Sequence, residues 1–182
     1  ENLSLILRNG DIIEELRDEV NSYEYDVTIL GGSRKRNMAH DLVQYIDSSI
    51  FVINNFNTEE KYRILLAVND SPSTSNAVKY GVRVAQAFSI EVDLLTISRN
   101  EHFGDGYKKA SYRASKLLRR SGVKAKTLFK TGDFVNTIVE SAGNNHIIIM
   151  GTSSQSPITK FFMGSKPLSV MEVCNCPVLI VK

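Results

Sequence analysis

Short apolar runs alternate with helix-periodic segments between residues 61 and 182. The run Arg63–Val68 is nearly continuous in apolar residues, which is typical of a strand buried on both faces of a parallel sheet. In the segment that follows it, apolar residues recur three or four positions apart, which predicts a helix. Further strands are predicted at 91–98, 125–130, 146–150 and 178–181, with helices between them. This alternation predicts right-handed βαβ units and an α/β fold with a doubly wound parallel sheet.

Two segments of this half are more polar than the rest. Residues 125–130 mix apolar with charged side chains, so we predict this strand at an edge of the sheet. Residues 100–107 are polar and contain two glycines, so we predict a loop.

Residues 1–57 repeat the later part of this plan. Gly10-Asp11 matches Gly132-Asp133 at an offset of 122 residues, and Ile50 matches Pro177 at an offset of 127. The third, fourth and fifth strands have predicted counterparts at 3–7, 27–31 and 50–53. Repetition on this scale indicates a tandem duplication. We therefore predict that residues 1–57 are the C-terminal half of a first domain and that residues 58–182 are a complete second domain.

The first copy has no counterpart of the first two strands. These strands lie in the middle of a doubly wound sheet, so residues 1–57 cannot complete a sheet alone. Either the chain is a fragment of a longer protein, or the half-domain docks on another sheet. Residues 54–60 are polar and are predicted to link the copies.

Composition narrows the class of function. The net charge is only +2, which argues against a general nucleic-acid binder. Cys174 and Cys176 are awkwardly spaced for a disulfide and lack the further ligands of a zinc site, so we predict a structural role and no metal site. No apolar run reaches the ~20 residues of a membrane span. We expect a cytoplasmic protein that does not insert into membranes.

The candidate binding chemistry lies in residues 151–165. The predicted fourth strand ends at Gly151, and Gly164-Ser165 precede the next helix. Glycines let the backbone approach a ligand closely, and a helix N-terminus attracts anions. No Gly-Lys-Ser/Thr closes the segment, so it differs from a P-loop, and its glycine spacing is not that of a Rossmann fold.

These features resemble the universal stress protein family, whose ATP-binding members carry Gly-x2-Gly-x9-Gly-Ser/Thr at this point. The closing run 176–181 and the opening strand and turn at 65–71 are also similar to the family's. The resemblance implies an adenine nucleotide alpha hydrolase-like fold, with five parallel strands in the order 3-2-1-4-5. It also implies self-association through the last strand.

By position, the resemblance implies a site for ATP or AMP, with magnesium possible beside ATP. The adenosine contacts would be Ala67, Val68, Asn69 and Ile97, and the phosphate contacts would be Gly151, Ser154, Gly164 and Ser165. Two of these depart from the family pattern, because Asn69 replaces an acidic residue and Ser154 replaces a glycine. The first copy lacks the nine-residue spacer after Gly31-Gly32, so we predict that it is a structural partner.

Three hypotheses follow for the function. The first is a stress-response regulatory module that binds an adenine nucleotide in the second domain. The alternative is a non-nucleotide interaction protein of the same fold, of which the cytosolic regulatory tail of a transporter would be one case. A slow ATP hydrolase is the third hypothesis, but the sequence shows no dedicated base and no catalytic residues are predicted. Lys160 and Lys166 flank the glycine segment and could neutralise phosphate.

Overall fold

The computed structural model describes residues 3–31, 36–57, 61–152 and 166–182. Seven described strands form one sheet, and six described helices pack on it. The strands are β1 (Val27–Gly31), β2 (Ser49–Ile53), β3 (Arg63–Val68), β4 (Val92–Ser98), β5 (Ala125–Thr131), β6 (His146–Gly151) and β7 (Val178–Val181). The helices are α1 (Ile12–Ser22), α2 (Arg36–Tyr45), α3 (Ser73–Phe88), α4 (Asp105–Arg120), α5 (Phe134–Ala142) and α6 (Lys166–Val173).

The strands lie in the order β1-β2-β7-β6-β3-β4-β5. Neighbouring strands are parallel except β2 and β7, which are antiparallel. The predicted α/β fold is confirmed. The five strands of residues 61–182 follow one another as β5-β4-β3-β6-β7, which corresponds to the expected 3-2-1-4-5. The sheet nevertheless has seven strands rather than five, because β1 and β2 extend it beyond β7.

Strand β7 is paired on both sides, by β6 and by β2. Across the antiparallel pair, Ile50 lies opposite Ile180 and Val52 lies opposite Val178. The backbone nitrogen of Lys182 also donates to Ser49 Oγ at 3.3 Å. The resemblance assigned this edge of the last strand to self-association, but here it pairs within the chain. Pairing with a second chain at this edge would require β2 to leave it.

The two faces of the sheet carry different helices. Helices α1, α2, α5 and α6 pack on one face, which we call the α5/α6 face. Helices α3 and α4 pack on the other, which we call the α3/α4 face. Successive residues of β3 point to opposite faces, so Ile64 and Leu66 are buried on the α3/α4 face and Leu65 on the α5/α6 face. The continuous apolar run of β3 therefore reflects its central place in the sheet.

The strand predicted at residues 3–7 is not present. Residues 3–9 form neither a strand nor a helix, and the side chains of Leu3, Leu5 and Leu7 are 101%, 86% and 86% exposed. A strand needs a neighbour to accept and donate its backbone hydrogen bonds. The corresponding strand β5 has β4 as that neighbour, whereas residues 3–9 pair with no described strand.

The strand registers also correct one predicted correspondence. Thr28 lies opposite Ile50 in the pair β1–β2, and Ile148 lies opposite Val178 in the pair β6–β7. When β1 is matched to β6, Ile50 therefore matches Val178, at an offset of 128 residues. The predicted match to Pro177 is wrong by one residue. In a strand, such a slip would exchange the two faces, and Ile50 and Val178 are in fact both buried on the α5/α6 face.

Candidate functional site

Parallel strands β3, β4 and β6 end at the same edge of the sheet, which we call the carboxyl edge. A cavity of about 560 Å³ opens at the ends of β4 and β5, beside the first residues of α5 and α6. Its lining residues are Ile97, Ser98, Arg99, Asn100, His102, Tyr107, Gly132, Asp133, Phe134 and Lys166. Open α/β sheets bind ligands beyond the carboxyl ends of their strands, so this cavity is the candidate site.

One part of the cavity wall is apolar or aromatic. Ile97 is buried at the end of β4, and Tyr107 and Phe134 are partly buried. The loop after β4 is held by Phe103, whose ring packs edge-to-face on Phe129 of β5 with the centroids 5.0 Å apart. A flat, weakly polar group would find a complementary surface here.

The charged groups of the wall favour an anion. The side chains of Arg99 and Lys166 are exposed and form no ion pair with a described residue. The ammonium of Lys166 lies 5.2 Å from the centroid of the Phe134 ring. The carboxylate of Asp133 accepts hydrogen bonds from the backbone nitrogens of Val135 and Asn136, both at 3.1 Å. Asp133 is thereby the N-cap of α5. Its carboxylate interacts with the helix N-terminus and not with Arg99 or Lys166, so these two cations remain available to a ligand.

Asn69 follows β3 and stabilises the turn into α3. Its Oδ1 accepts hydrogen bonds from the Ser71 backbone nitrogen at 3.0 Å, from Ser71 Oγ at 2.6 Å and from Thr74 Oγ1 at 2.7 Å. The oxygen is thus occupied by the first turn of the helix. The Nδ2 group of Asn69 donates to no described residue, so it is the part of this side chain that can reach a ligand.

Gly151 ends β6 where the strand passes very close to α3. A Cβ added at this position would lie 2.5 Å from the backbone oxygen of Ser73. A glycine is therefore required here by packing, whether or not a ligand is bound. The spacing of glycines along the sequence gave no indication of this second role.

The remaining predicted site residues divide into three groups. Ala67 faces the α5/α6 face and Val68 faces the α3/α4 face, since they are neighbours in a strand. Ile97 lines the 560 Å³ cavity, whereas Asn69 lines a different one. Ser154, Gly164 and Ser165 lie outside the described residues, as does Lys160.

The second cavity, of about 370 Å³, lies between α3 and α4. Asn69 and Asp70 line it at one end, and Lys109 and Arg113 line it from α4. Most of its remaining surface is contributed by hydroxyl groups and by small or apolar side chains. It is separate from the 560 Å³ cavity, since no residue lines both.

The opposite edge of the sheet carries a compact ion cluster. Arg63 of β3 donates to Asp93 of β4 from Nε at 3.0 Å and from Nη2 at 2.7 Å, and to Glu91 at 2.5 Å. His146 Nε2 lies 3.2 Å from Asp93 Oδ2, the oxygen that also accepts from Arg63 Nε. The hydrogen bond from Arg63, together with that from His146, lowers the pKa of Asp93, and the same carboxylates raise the pKa of Arg63. The guanidinium of Arg63 is paired with both carboxylates, so this edge joins three strands rather than offering a site.

Sequence reasoning missed several residues of the candidate cavity. Asn100 and Tyr107 lie in the segment predicted as a loop, and Arg99 lies between that segment and the predicted strand 91–98, although α4 begins at Asp105 and so includes Tyr107. The position of Arg99 and Asn100 directly after a parallel strand was a usable signal. Tyr107 carried no such signal, because its place depends on where α4 packs.

Known proteins place this fold in a family. A model of the universal stress protein family matches residues 62–182. The chain is 26% identical over 145 residues to a universal stress protein of Methanocaldococcus jannaschii, which covers 69% of this chain and 85% of that protein. It is 22% identical over 136 residues to the universal stress protein of Helicobacter pylori, which covers 65% of this chain and 98% of the relative. The chain belongs to the universal stress protein family.

Solved structures show the same fold. A universal stress protein of Archaeoglobus fulgidus covers 93% of this chain at a TM-score of 0.67 and 18% identity, and the chain spans 64% of that structure's length. A putative universal stress protein of Pseudomonas aeruginosa covers 96% of this chain at a TM-score of 0.71 and 11% identity, with 69% of its own length matched. A universal stress protein solved in complex with cAMP matches 68% of this chain and 99% of its own length at a TM-score of 0.56 and 22% identity.

The described residues show neither a membrane-spanning helix nor a metal-binding cluster. None of the described helices combines the length and the apolar character that a membrane crossing requires. Within the described ranges, no three His, Cys, Asp or Glu side chains are grouped so that they could hold a metal ion.

Proposed function

We propose that residues 58–182 bind an adenine nucleotide at the carboxyl edge and act as a regulatory module of the stress response, without catalysing a reaction. The observation that carries this proposal is the 560 Å³ cavity, which combines an aromatic wall with two cations that are unpaired among described residues. Its volume lies in the usual range for small-molecule sites, roughly 300–1,000 Å³. The cAMP complex of a related protein supports the choice of an adenine nucleotide.

The ligand would span the edge of the sheet. The base and ribose would contact Ile97, Tyr107 and Phe134, which line the 560 Å³ cavity. Ala67, Val68 and Asn69, which the resemblance also assigns to adenosine, do not line this cavity. The phosphates would extend towards Lys166, which directly follows the proposed phosphate contacts Gly164 and Ser165 in sequence, and towards the other two proposed contacts, Gly151 and Ser154. AMP needs no metal in this arrangement. With ATP, magnesium would be held mainly by the phosphates, because Asn69 supplies no charge to it.

Binding of AMP and ATP to the purified chain, measured by isothermal titration calorimetry, tests the proposal. Arg99→Glu and Lys166→Glu place a carboxylate on the cavity wall, and both residues are exposed, so folding should not change. Loss of one charge-assisted hydrogen bond and added repulsion should weaken binding at least about tenfold, since 1.4 kcal/mol corresponds to a factor of ten.

Lys109→Glu and Arg113→Glu are the matched controls. They make the same change of charge on the wall of the 370 Å³ cavity, so the change in long-range field is common to all four variants. Because salt screens that field over about 10 Å, the two controls should leave affinity within about twofold of the parent chain. Absence of saturable binding to the parent chain contradicts the proposal. Equal losses in all four variants would place the ligand elsewhere.

A second candidate is an interaction protein of the same fold that binds no nucleotide. It is favoured by Asn69, whose Oδ1 is already used by three donors of the α3 turn. For this candidate, the melting temperature should be the same with and without excess ATP and magnesium, whereas a bound nucleotide raises it. The role of a transporter's cytosolic tail remains a prediction within this candidate, to be decided by the full-length gene product.

A further inference from the structure

The charges of this chain are segregated along the sequence. Between residues 106 and 132, nine side chains are Lys or Arg and none is Asp or Glu. Because the net charge of the whole chain is only +2, the remaining residues are together net acidic. The small net charge therefore excludes a protein that is basic over its whole surface, but it does not exclude a single basic face.

The fold gathers this segment at one end of the sheet. Six of the cations lie in α4 and three lie in β5 or just before it. Strand β5 is the last strand of the sheet, and α4 packs beside it on the α3/α4 face. Leu128 packs on the α5/α6 face, so Lys126 and Lys130, two positions away along the strand, lie on that side of β5. The cations therefore surround one edge on both faces, and we call residues 108–130 the basic edge.

The cations of the basic edge are available to a partner. Lys116 is partly exposed and the other eight are exposed. None of the nine forms an ion pair with a described residue. Within α4, like charges lie four residues apart at Lys109 and Arg113 and again at Lys116 and Arg120, which destabilises a helix. The segment contains no acidic side chain to reduce this repulsion, so a polyanion bound here would stabilise the helix.

Exposed aromatic rings lie among these cations. Tyr112 of α4 is 66% exposed and Phe129 of β5 is 47% exposed. Because side chains alternate along β5, Phe129 lies on the α3/α4 face, the face on which α4 packs. Lys108 and Lys116 lie about one helical turn before and after Tyr112. Aromatic rings between cations are the combination with which single-strand binders hold bases and phosphates.

We infer that the basic edge binds single-stranded nucleic acid, with its cations on the phosphates and Tyr112 stacked on a base. A flexible strand can follow cations that lie on both faces of an edge, whereas a flat anionic membrane contacts only one side of it. The buried residues of α4, Ser111, Ala114 and Leu118, lie against the sheet. The outward side of the helix therefore offers charged and polar groups rather than an apolar stripe for lipid.

An acidic peptide would also satisfy the cations, but it would leave the two exposed rings without a partner. Every base offers a flat face on which an aromatic ring can stack, so a nucleic acid satisfies both kinds of group. The inference is independent of the proposed adenine-nucleotide site, since no residue of the basic edge lines the 560 Å³ cavity.

Binding of labelled oligouridylate and oligodeoxythymidylate to the full chain, followed by fluorescence anisotropy, tests the inference. A length of about 12 nucleotides lies within the roughly 4–16 that single-strand sites occupy. Both probes lack adenine, and AMP is present in excess, so the 560 Å³ cavity does not contribute. Saturable binding of either probe supports the inference, and the tighter one identifies RNA or DNA as the ligand.

The salt dependence measures the phosphate contacts. With about five of the cations on phosphates, a plot of the logarithm of the binding constant against that of salt concentration should have a slope of about −3.5, since each contact to a single strand contributes about −0.7. The double variant Lys116→Gln, Lys126→Gln should reduce this slope by about 1.4 and weaken binding at low salt about tenfold or more.

The matched control is the double variant Lys61→Gln, Lys79→Gln. It removes the same charge from exposed positions outside the basic edge and should leave affinity within about twofold of the parent chain. Tyr112→Ala keeps a good helix former and should weaken binding about fivefold or more through lost stacking. Tyr45→Ala removes another exposed ring and should have no effect.

Four results would overturn the inference. The first is the absence of saturable binding of both oligomers at low salt. The second is equal weakening by the two double variants, which would assign binding to net charge alone. The third is displacement of the oligomer by polyglutamate, or by vesicles of phosphatidylserine and phosphatidylcholine in equal parts, at an equal concentration of negative charge. The fourth is unchanged affinity in Tyr112→Ala, which would contradict stacking and with it the choice of a single strand.

Discussion

Gly31 and Gly151 end corresponding strands, but they differ in their surroundings. A Cβ on Gly151 would lie 2.5 Å from the backbone of α3, whereas a Cβ on Gly31 would have no atom within 4 Å. The same contrast separates Ile149, which is fully buried, from Ile29, which is largely exposed. The strands themselves are alike, and the difference comes from β3 and α3. Burial of a strand residue is therefore decided by elements that are distant in sequence.

The largest expected effect comes from truncating the corresponding isoleucines. Ile149→Ala leaves a cavity in a packed core and should lower the free energy of unfolding by about 2–5 kcal/mol. Ile29→Ala removes a side chain that is mostly in water and should change it by less than about 0.5 kcal/mol. Urea unfolding measures the free-energy change of both variants, provided that the m-value is the same as in the parent chain. Similar losses in the two variants would show that the β1 face is covered in solution.

The ion cluster provides the next contrast. His146 is the first residue of β6 and contacts Asp93, whereas the corresponding residue Asp26 directly precedes β1 and forms no ion pair with a described residue. Asp93→Asn should lower the free energy of unfolding by about 1.5–3 kcal/mol at pH 6, because charge-assisted hydrogen bonds from Arg63 and His146 are weakened. Asp26→Asn is the matched control and should have little effect.

The same variant has a defined dependence on pH. Because the folded pKa of Asp93 lies below its ordinary value, the carboxylate stabilises the fold above the unfolded pKa of about 3.9. This contribution is lost as the pH falls through the folded pKa. The stability difference between Asp93→Asn and the parent chain should therefore shrink in unfolding measurements below about pH 4. A difference that is unchanged from pH 6 to pH 2 would assign the effect to packing instead.

The smallest expected effect lies at the two glycines. Gly151→Ala should destabilise by about 1–3 kcal/mol, because either β6 or the start of α3 must move. Gly31→Ala should be close to neutral, since no atom of a described residue lies within 4 Å of the added Cβ. Thermal unfolding distinguishes the two. Equal destabilisation by both variants would contradict the contrast.

Much of the fold could be predicted from local patterns in the sequence. The apolar run of β3 predicts a central strand, and the polar pattern of β5 predicts an edge strand, as found. Gly10-Asp11 and Gly132-Asp133 predict helix starts that the caps of α1 and α5 confirm. These predictions are correct because strand burial and helix capping are reflected in the residue types of the element itself.

The failures arise where the outcome depends on a distant partner. The leucines of residues 3–7 have the alternation of a strand, but no described strand lies beside them. The correspondence of Ile50 requires the register of β1 on β2, which the sequence does not record. At the candidate site, sequence reasoning named Ile97 but missed Arg99 and Tyr107, because the course of the loop after β4 depends on where α4 packs.

The antiparallel contact between β2 and β7 has one more consequence. Hydrogen bonds run without interruption from β1 to β5, and side chains of α2 and α6 share one apolar layer on the α5/α6 face. A break in the backbone between Ile53 and Arg63 would therefore release no independent fragment. Loosening of β2 would remove one of the two strands that pair with β7. The two segments thus share one sheet, and unfolding of residues 27–53 would expose both the edge of β7 and the apolar layer beside α6.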